Sequence, residues 1–298
     1  MSDIIATTTT NSDSDSLGRL VFWDLNGFVN YEKYCEMLDA CGIPNHMHPD
    51  FIDPEKALER ALNDAIERKQ GRGGSNVSVT KMRAAKKGQK VYLVHNKKRN
   101  EVEESVDFNE DLKVRLTVLG TVTCEPENHR MAETIKARFN FHCDHLNTSD
   151  VGNVNTSVVR WLKGARIRQR GGMYFLAQEH LEQWNSFVAA TEEMSEHVFH
   201  EIPADNLESV RKAILSGFTS QIESEIAKIE SAVEKDLGAR GLQTQLRNVA
   251  AIQHQMEYYQ ELMGTVLTEL TEKTEELQAN VSMLAFAAQA QEKAENEK

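Results

Sequence analysis

Residues 207–237, LESVRKAILSGFTSQIESEIAKIESAVEKDL, set Leu207, Val210, Ile214, Phe218, Ile222, Ile226, Ile229, Val233 and Leu237 three or four positions apart. That spacing keeps one side of an α-helix apolar. After Gly238-Ala239-Arg240-Gly241 a second series follows, from Leu242, Leu246, Val249, Ile252, Met256, Tyr259 and Met263 through Val266, Leu270, Leu277, Val281 and Leu284. No proline lies beyond Pro203 to interrupt either series. Residues 204–298 therefore predict two long helices broken once, as a helical hairpin or coiled coil. The second rod is the longer, and its unmatched roughly 20 residues would reach about 30 Å past the first. Leu277, Val281, Leu284 and Phe286, with Met283, then form an apolar tip. A second copy of the chain, another protein, or the chain's own body must cover it.

Working back from this arm, residues 127–203 read as a winged-helix-like unit with a β-hairpin. One helix covers 128–145, a second follows Thr148-Ser149-Asp150 to Lys163-Gly164, and a hairpin turns on Gly171-Gly172. A third helix carries Leu181, Trp184, Phe187 and Val188. Residues 18–126 read as an α+β domain. Leu20-Val21-Phe22-Trp23 is a short strand, Tyr34, Met37, Leu38 and Cys41 share a helix face, and Pro54 opens another helix with Ala57, Leu58, Ala61, Leu62 and Ile66. After the loop Gly71-Arg72-Gly73-Gly74-Ser75-Asn76 the period changes to two, through Val77, Val79, Val91, Leu93, Val114, Leu116 and Val118. Turns are expected at Lys87-Gly88-Gln89 and Asn109-Glu110-Asp111 of an antiparallel meander. Residues 1–17 are Thr, Ser, Asp and Asn with little to bury, and predict a disordered tail. The fold class is α+β: an N-terminal antiparallel sheet with helices, the winged-helix-like middle, and the helical arm.

The chain carries a formal charge of −12, unevenly spread. Residues 68–100 hold eleven Lys or Arg and no acid, and residues 151–178 hold five more, again with no acid. Those windows take 16 of the 34 basic residues, leaving 18 against 46 acids elsewhere. A chain polarised in this way can bring one cationic face to a polyanion. In the second window Arg160 and Lys163 precede Arg166, Arg168 and Arg170, which alternate along one strand. In the first, Lys86, Lys87, Lys97, Lys98 and Arg99 cluster at strand ends, with Tyr92 and His95 interleaved. Both sets are candidate nucleic-acid contacts, through phosphates or along a single strand. The competing reading makes them solvated edges or hairpin decoration, since lysines also guard exposed strands.

Catalytic signatures are thin. His142-Cys143-Asp144-His145 is the densest group of metal-capable side chains, but zinc needs three or four ligands and no second pair is suitably spaced. Asp107 and Asp111-Leu112-Lys113 match a metal-dependent nuclease only loosely. No GxxxxGK[ST], GxSxG, HExxH or GxGxxG occurs. Neither metal nor cofactor is expected, and the chain reads as non-enzymatic. Four dispersed cysteines, with no secretory or membrane-spanning pattern, fit a cytoplasmic protein.

The Trp23 strand, the proline-initiated helix with Ala57 and Ala61, and Gly171-Gly172-Met173-Tyr174-Phe175 ahead of a long helical tail resemble a prokaryotic and bacteriophage family of unknown function. Its members are of similar length. Ala177 departs from a proline often found after the glycine-tyrosine-phenylalanine stretch. The resemblance implies a phage or mobile-element setting and carries no activity with it. The leading expectation is a protein that associates with DNA or RNA through its basic faces and assembles or recruits proteins through its arm. A pure scaffold, adaptor or inhibitor is the alternative, and a metal-dependent nuclease the third.

Overall fold

The computed structural model describes residues 16–67, 77–82, 89–100, 105–168, 171–235 and 237–296. In chain order the elements are β1 (Ser16–Asp24), β2 (Val29–Asn30), α1 (Tyr31–Ala40), α2 (Pro54–Glu67), β3 (Val77–Met82), β4 (Lys90–Asn100), β5 (Ser105–Leu116), β6 (Val122–Glu125), α3 (Ala132–Asp144), β7 (His145–Leu146), α4 (Thr148–Trp161), β8 (Ala165–Arg166), β9 (Tyr174–Ala177), α5 (Leu181–Met194), β10 (Val198–Asp205), α6 (Glu208–Val233), α7 (Ala239–Met263) and α8 (Thr268–Asn296). The fold is α+β, as expected. The chain divides into two compact units: a helical unit of residues 16–24, 155–192 and 197–298, and a meander unit of residues 25–154 and 193–196. Of the tail expected over residues 1–17, residues 1–15 lie outside the described residues, and Ser16 and Leu17 already belong to β1.

In the helical unit β1 is a central strand of an antiparallel sheet in the order β10-β1-β9-β8. Leu20 faces Ile202 on one side and Phe175 on the other. The Leu20-to-Trp23 strand therefore pairs with residues near 175 and 200 and takes no part in the meander. The expected hairpin pairs β8 with β9, but it is built into this sheet instead of standing free as a wing. All four residues of β9 are buried, because both sheet faces are covered. On one face Trp23 stacks on Tyr174 at 5.3 Å, beside the buried Trp184 and Phe187 of α5. On the other, Phe175 meets Tyr259 of α7 edge-on at 6.4 Å, and Phe218 of α6 stacks on the same tyrosine at 4.2 Å.

The arm differs from the expected two rods. The first break falls between Val233 and Ala239, so Gly241 lies inside α7. A second occurs at Gly264, whose φ of 59° and ψ of 34° place it in the left-handed region, where a residue without a β-carbon sits at least cost. Beyond it α8 runs back along α7: the Thr274 hydroxyl donates to Met256 Sδ at 3.5 Å, and Gln253 Nε2 donates to Gln278 Oε1 at 2.8 Å. The overhanging tip is thereby corrected. Leu277 (5 % exposed) and Val281 (0 %) close a core shared with α6 and α7, while Leu284 (37 %) and Phe286 (77 %) stay exposed.

In the meander unit the order β3-β4-β5-β6 is a simple antiparallel ladder. Tyr92, Val94, Leu112, Val114 and Leu116 are buried in alternation. The expected face of α2, Ala57, Leu58, Ala61, Leu62 and Ile66, is buried, and Ala65 with it. The expected turn at Asn109-Glu110-Asp111 is instead the interior of β5. Val94 pairs with Leu112 and His95 with Glu110, so Asp111 is an extra residue taken up as a bulge. The β5–β6 turn falls at residues 117–121, where Gly120 N–H donates to the Thr117 carbonyl. The expected loop at Gly71 to Asn76 lies outside the described residues, as do Lys87 and Gly88. Glu55 of α2 pairs with Lys81 and, at 2.7 Å, with Lys90, while Lys81 also reaches Glu59 at 3.1 Å. Two cations of the first basic window are therefore already neutralised within the unit.

These contacts yield two expectations. Val281→Asp places a charge in a closed seam and lowers the melting temperature steeply, whereas Phe286→Asp leaves it nearly unchanged; Val281→Ala alone costs about 2 kcal/mol. Equal effects of the two aspartates in a thermal melt would contradict the docking of α8. Hydrogen bonds from Lys81 and Lys90 hold the Glu55 carboxyl below its usual value. A depressed carboxylate contributes stability above its unfolded pKa, about 4.3, and loses it as pH falls through the folded value. Glu55→Gln should therefore lower the melting temperature at about pH 7 and match the parent at about pH 3. Equal losses at both would assign Glu55 a packing role.

Candidate nucleic-acid interface

Arg160 sits in the last turn of α4, and the chain leaves that helix through Lys163. Lys163 has φ of 57°, a left-handed conformation that costs a side-chain-bearing residue about 1–2 kcal/mol. Gly164, the easier occupant, comes one position later. Two neighbouring tyrosines of α7 hold Lys163 in place. The Tyr259 hydroxyl donates to the Lys163 carbonyl at 3.0 Å, and the Lys163 ammonium lies 4.4 Å from the centre of the Tyr258 ring. Burial drives both phenols above their ordinary range. Burial also depresses the nearby His180 imidazole; the Glu179 carboxylate opposes that shift and the Lys163 ammonium adds to it.

From Gly164 the chain enters β8, against which α6 is pressed. A β-carbon on Gly217 would fall 2.7 Å from Ile167 Cα and 3.0 Å from the Arg166 carbonyl oxygen, so only glycine allows this approach. Arg166 N–H donates to Gln221 Oε1 at 2.7 Å, one turn further along α6. Gly217, Ser220, Gln221, Ser224, Glu225 and Lys228 follow one another at intervals of three and one, and so share one face of α6. Between this face and residues 160–168 lies a recess of about 330 Å³ whose wall includes Arg160, Arg166, Arg168 and Lys228. Glu225 is the single carboxylate there, and it accepts from Gln221 Nε2 at 3.2 Å. Among the described residues none of the four cations makes an ion pair, and the buried Nε of Arg166 has no hydrogen-bond partner.

A larger recess of about 950 Å³ continues along α6 and α7. It shares Arg160, Gln221, Glu225 and Lys228 with the first, and adds Lys163, Tyr258 and the amides Gln245, Asn248 and Gln255. Glu257 and Glu261 stand at its α7 side. The arrangement suits anion binding by guanidinium and ammonium groups, with hydroxyl and amide donors between them.

Of the residues singled out from the sequence, Arg160, Lys163, Arg166 and Arg168 come together here. Arg170, Lys86 and Lys87 lie outside the described residues. Lys97, Lys98 and Arg99 belong to β4 of the meander unit, opposite Phe108, Asp107 and Val106, and their side chains lie outside the described residues, as do those of Asp107 and Asp111. Lys228 and the polar stripe of α6 were missed. Their signal was a second helical periodicity, polar, running beside the apolar one. The His142 cluster is engaged structurally: His142 Nε2 lies 2.9 Å from Asp64 Oδ2, and His145 Nδ1 lies 2.9 Å from the Phe141 carbonyl. Among the described residues no three metal-capable side chains converge, and no described helix is long and apolar enough to cross a membrane.

No curated protein and no solved structure matches this chain. The model of a Family of unknown function (DUF6744) matches residues 16–292, nearly the whole of it, and the chain belongs to that family.

Proposed function

We propose that this chain binds nucleic acid, holding backbone phosphates in the recess between residues 160–168 and α6. The observation that carries the reading is the set of four cations, Arg160, Arg166, Arg168 and Lys228, around one recess with no ion pair among the described residues. Gathering like charges is unfavourable unless an anion joins them. In a chain of net charge −12 the local excess also steers a polyanion to this place. Nucleic acid is favoured over a small anion because the recess opens into the longer one, where Lys163 adds a further cation and α7 offers amides. The activity is binding, not catalysis. Protein contact through the arm, the other half of the expected function, falls to the exposed side of α8 around Met283 and Phe286.

Fluorescence anisotropy with single-stranded and duplex DNA and RNA at two salt concentrations tests this. Four phosphate contacts on a single strand give a log–log salt slope of about −3. Arg160→Glu and Lys228→Glu should each weaken binding by on the order of tenfold and flatten that slope. Absence of binding at low salt for all four probes would discard the proposal in favour of a pure protein-interaction role. Lys163→Gly separates architecture from charge. Relief of the left-handed strain raises stability by up to about 1 kcal/mol, while loss of the ammonium weakens binding. A variant that is both less stable and equally tight would contradict the role given to Lys163.

A further inference from the structure

Four cations that served a duplex backbone would be expected on a ridge, because duplex phosphates form a convex rail and proteins reach them with protruding helices, wings or arms. Here they line a hollow. The recess of about 330 Å³ is walled by β8 on one side and α6 on the other, near the lower end of the range for small-ligand sites, about 300–1,000 Å³. A group that uses all four cations at once must enter the recess, and a strand end does so with less attached chain to accommodate than an internal phosphodiester.

We infer that the smaller recess clasps the terminal phosphomonoester of a single-stranded nucleic acid, an inference that rests on the nucleic-acid reading above. Charge supports it. A terminal phosphate carries about −1.5 to −2 at neutral pH, against −1 for an internal diester. Four cations with the single carboxylate Glu225 match the larger charge. Donor chemistry agrees as well. Arg166 and Arg168 both line the recess, and phosphate oxygens take guanidinium groups in paired hydrogen bonds. The hydroxyls of Ser220 and Ser224 lie on the same wall. Continuity completes the case. Arg160 and Lys228 border both recesses, so a strand held by its end runs directly into the longer one, towards Tyr258.

The experiment compares full-length protein against short fluorescein-labelled oligothymidylate strands that differ only in their ends: both hydroxyl, phosphate at the 5′ end, or phosphate at the 3′ end. The expected result is affinity higher by on the order of tenfold for one phosphorylated end, the two arms identifying which. In Arg166→Gln/Arg168→Gln the preference should shrink to within about twofold. Ser224→Glu is the second variant; it sits on an exposed position of α6, where it leaves the core alone, and it should abolish the preference by placing an anion in the recess. Equal affinity for phosphate-ended and hydroxyl-ended strands overturns the inference and leaves the nucleic-acid reading standing. No binding of any strand overturns both. A preference that survives Ser224→Glu places the end phosphate elsewhere and also overturns it.

Discussion

The approach of α6 to the backbone of β8 decides where the cations of this chain face. Gly217 lies against Ile167, and Gln221, one turn later, accepts the Arg166 amide. With the helix this near, Arg160, Arg166 and Arg168 border a recess whose other wall is the polar face of α6. The helix in turn stays there because its apolar side, Ile214, Phe218, Ile222, Ile226 and Ile229, is part of a core completed by α7 and α8. Packing on one face of α6 thus fixes the electrostatics of the next face round.

Lys163 shows how local strain and position are coupled. Its backbone conformation is costly for any residue with a β-carbon, and the tyrosine pair of α7 holds it there from two directions, one through the carbonyl and one through the ammonium. A glycine would satisfy the helix end alone. Keeping a cation on the wall of the larger recess is the one property glycine lacks.

The sequence made some of this visible and concealed the rest, for physical reasons. The apolar stripes of α6 and α7 were legible because burial on one helix face repeats at a fixed period. The break at Gly264 was not, because Met263, Val266 and Leu270 continue that period straight across it, and a lone glycine inside a helix costs only about 1 kcal/mol. Val266 is 76 % exposed, so its place in the series was coincidental. The period of two through residues 91–94 and 114–116 was readable, although the buried face of β4 is Tyr92 and Val94 and not Val91 and Leu93, and the bulge at Asp111 is a property of strand pairing that leaves no mark in one strand alone. The partners of β1 were hidden because pairing between Leu20 and Phe175 is a long-range fact that no local pattern encodes. For the candidate interface, Arg160 to Arg168 stood out as a charge window, whereas Lys228 and the serines belong to an element whose apolar face attracted the reading first.

The threading of the helical unit has an effect on how the chain is made. β1 has its hydrogen-bonding partners more than 150 positions downstream, and the whole stretch 25–154 is spliced between it and them. A ribosome emits the meander unit, with its own ladder and buried helices, long before β9 and β10 exist. The first strand must therefore wait with both edges bare while an intervening body takes shape. Large loop closure of this kind slows assembly and lengthens the interval in which an unpaired edge is open to other chains. Birth, more than maturity, is the stage at which this architecture is exposed.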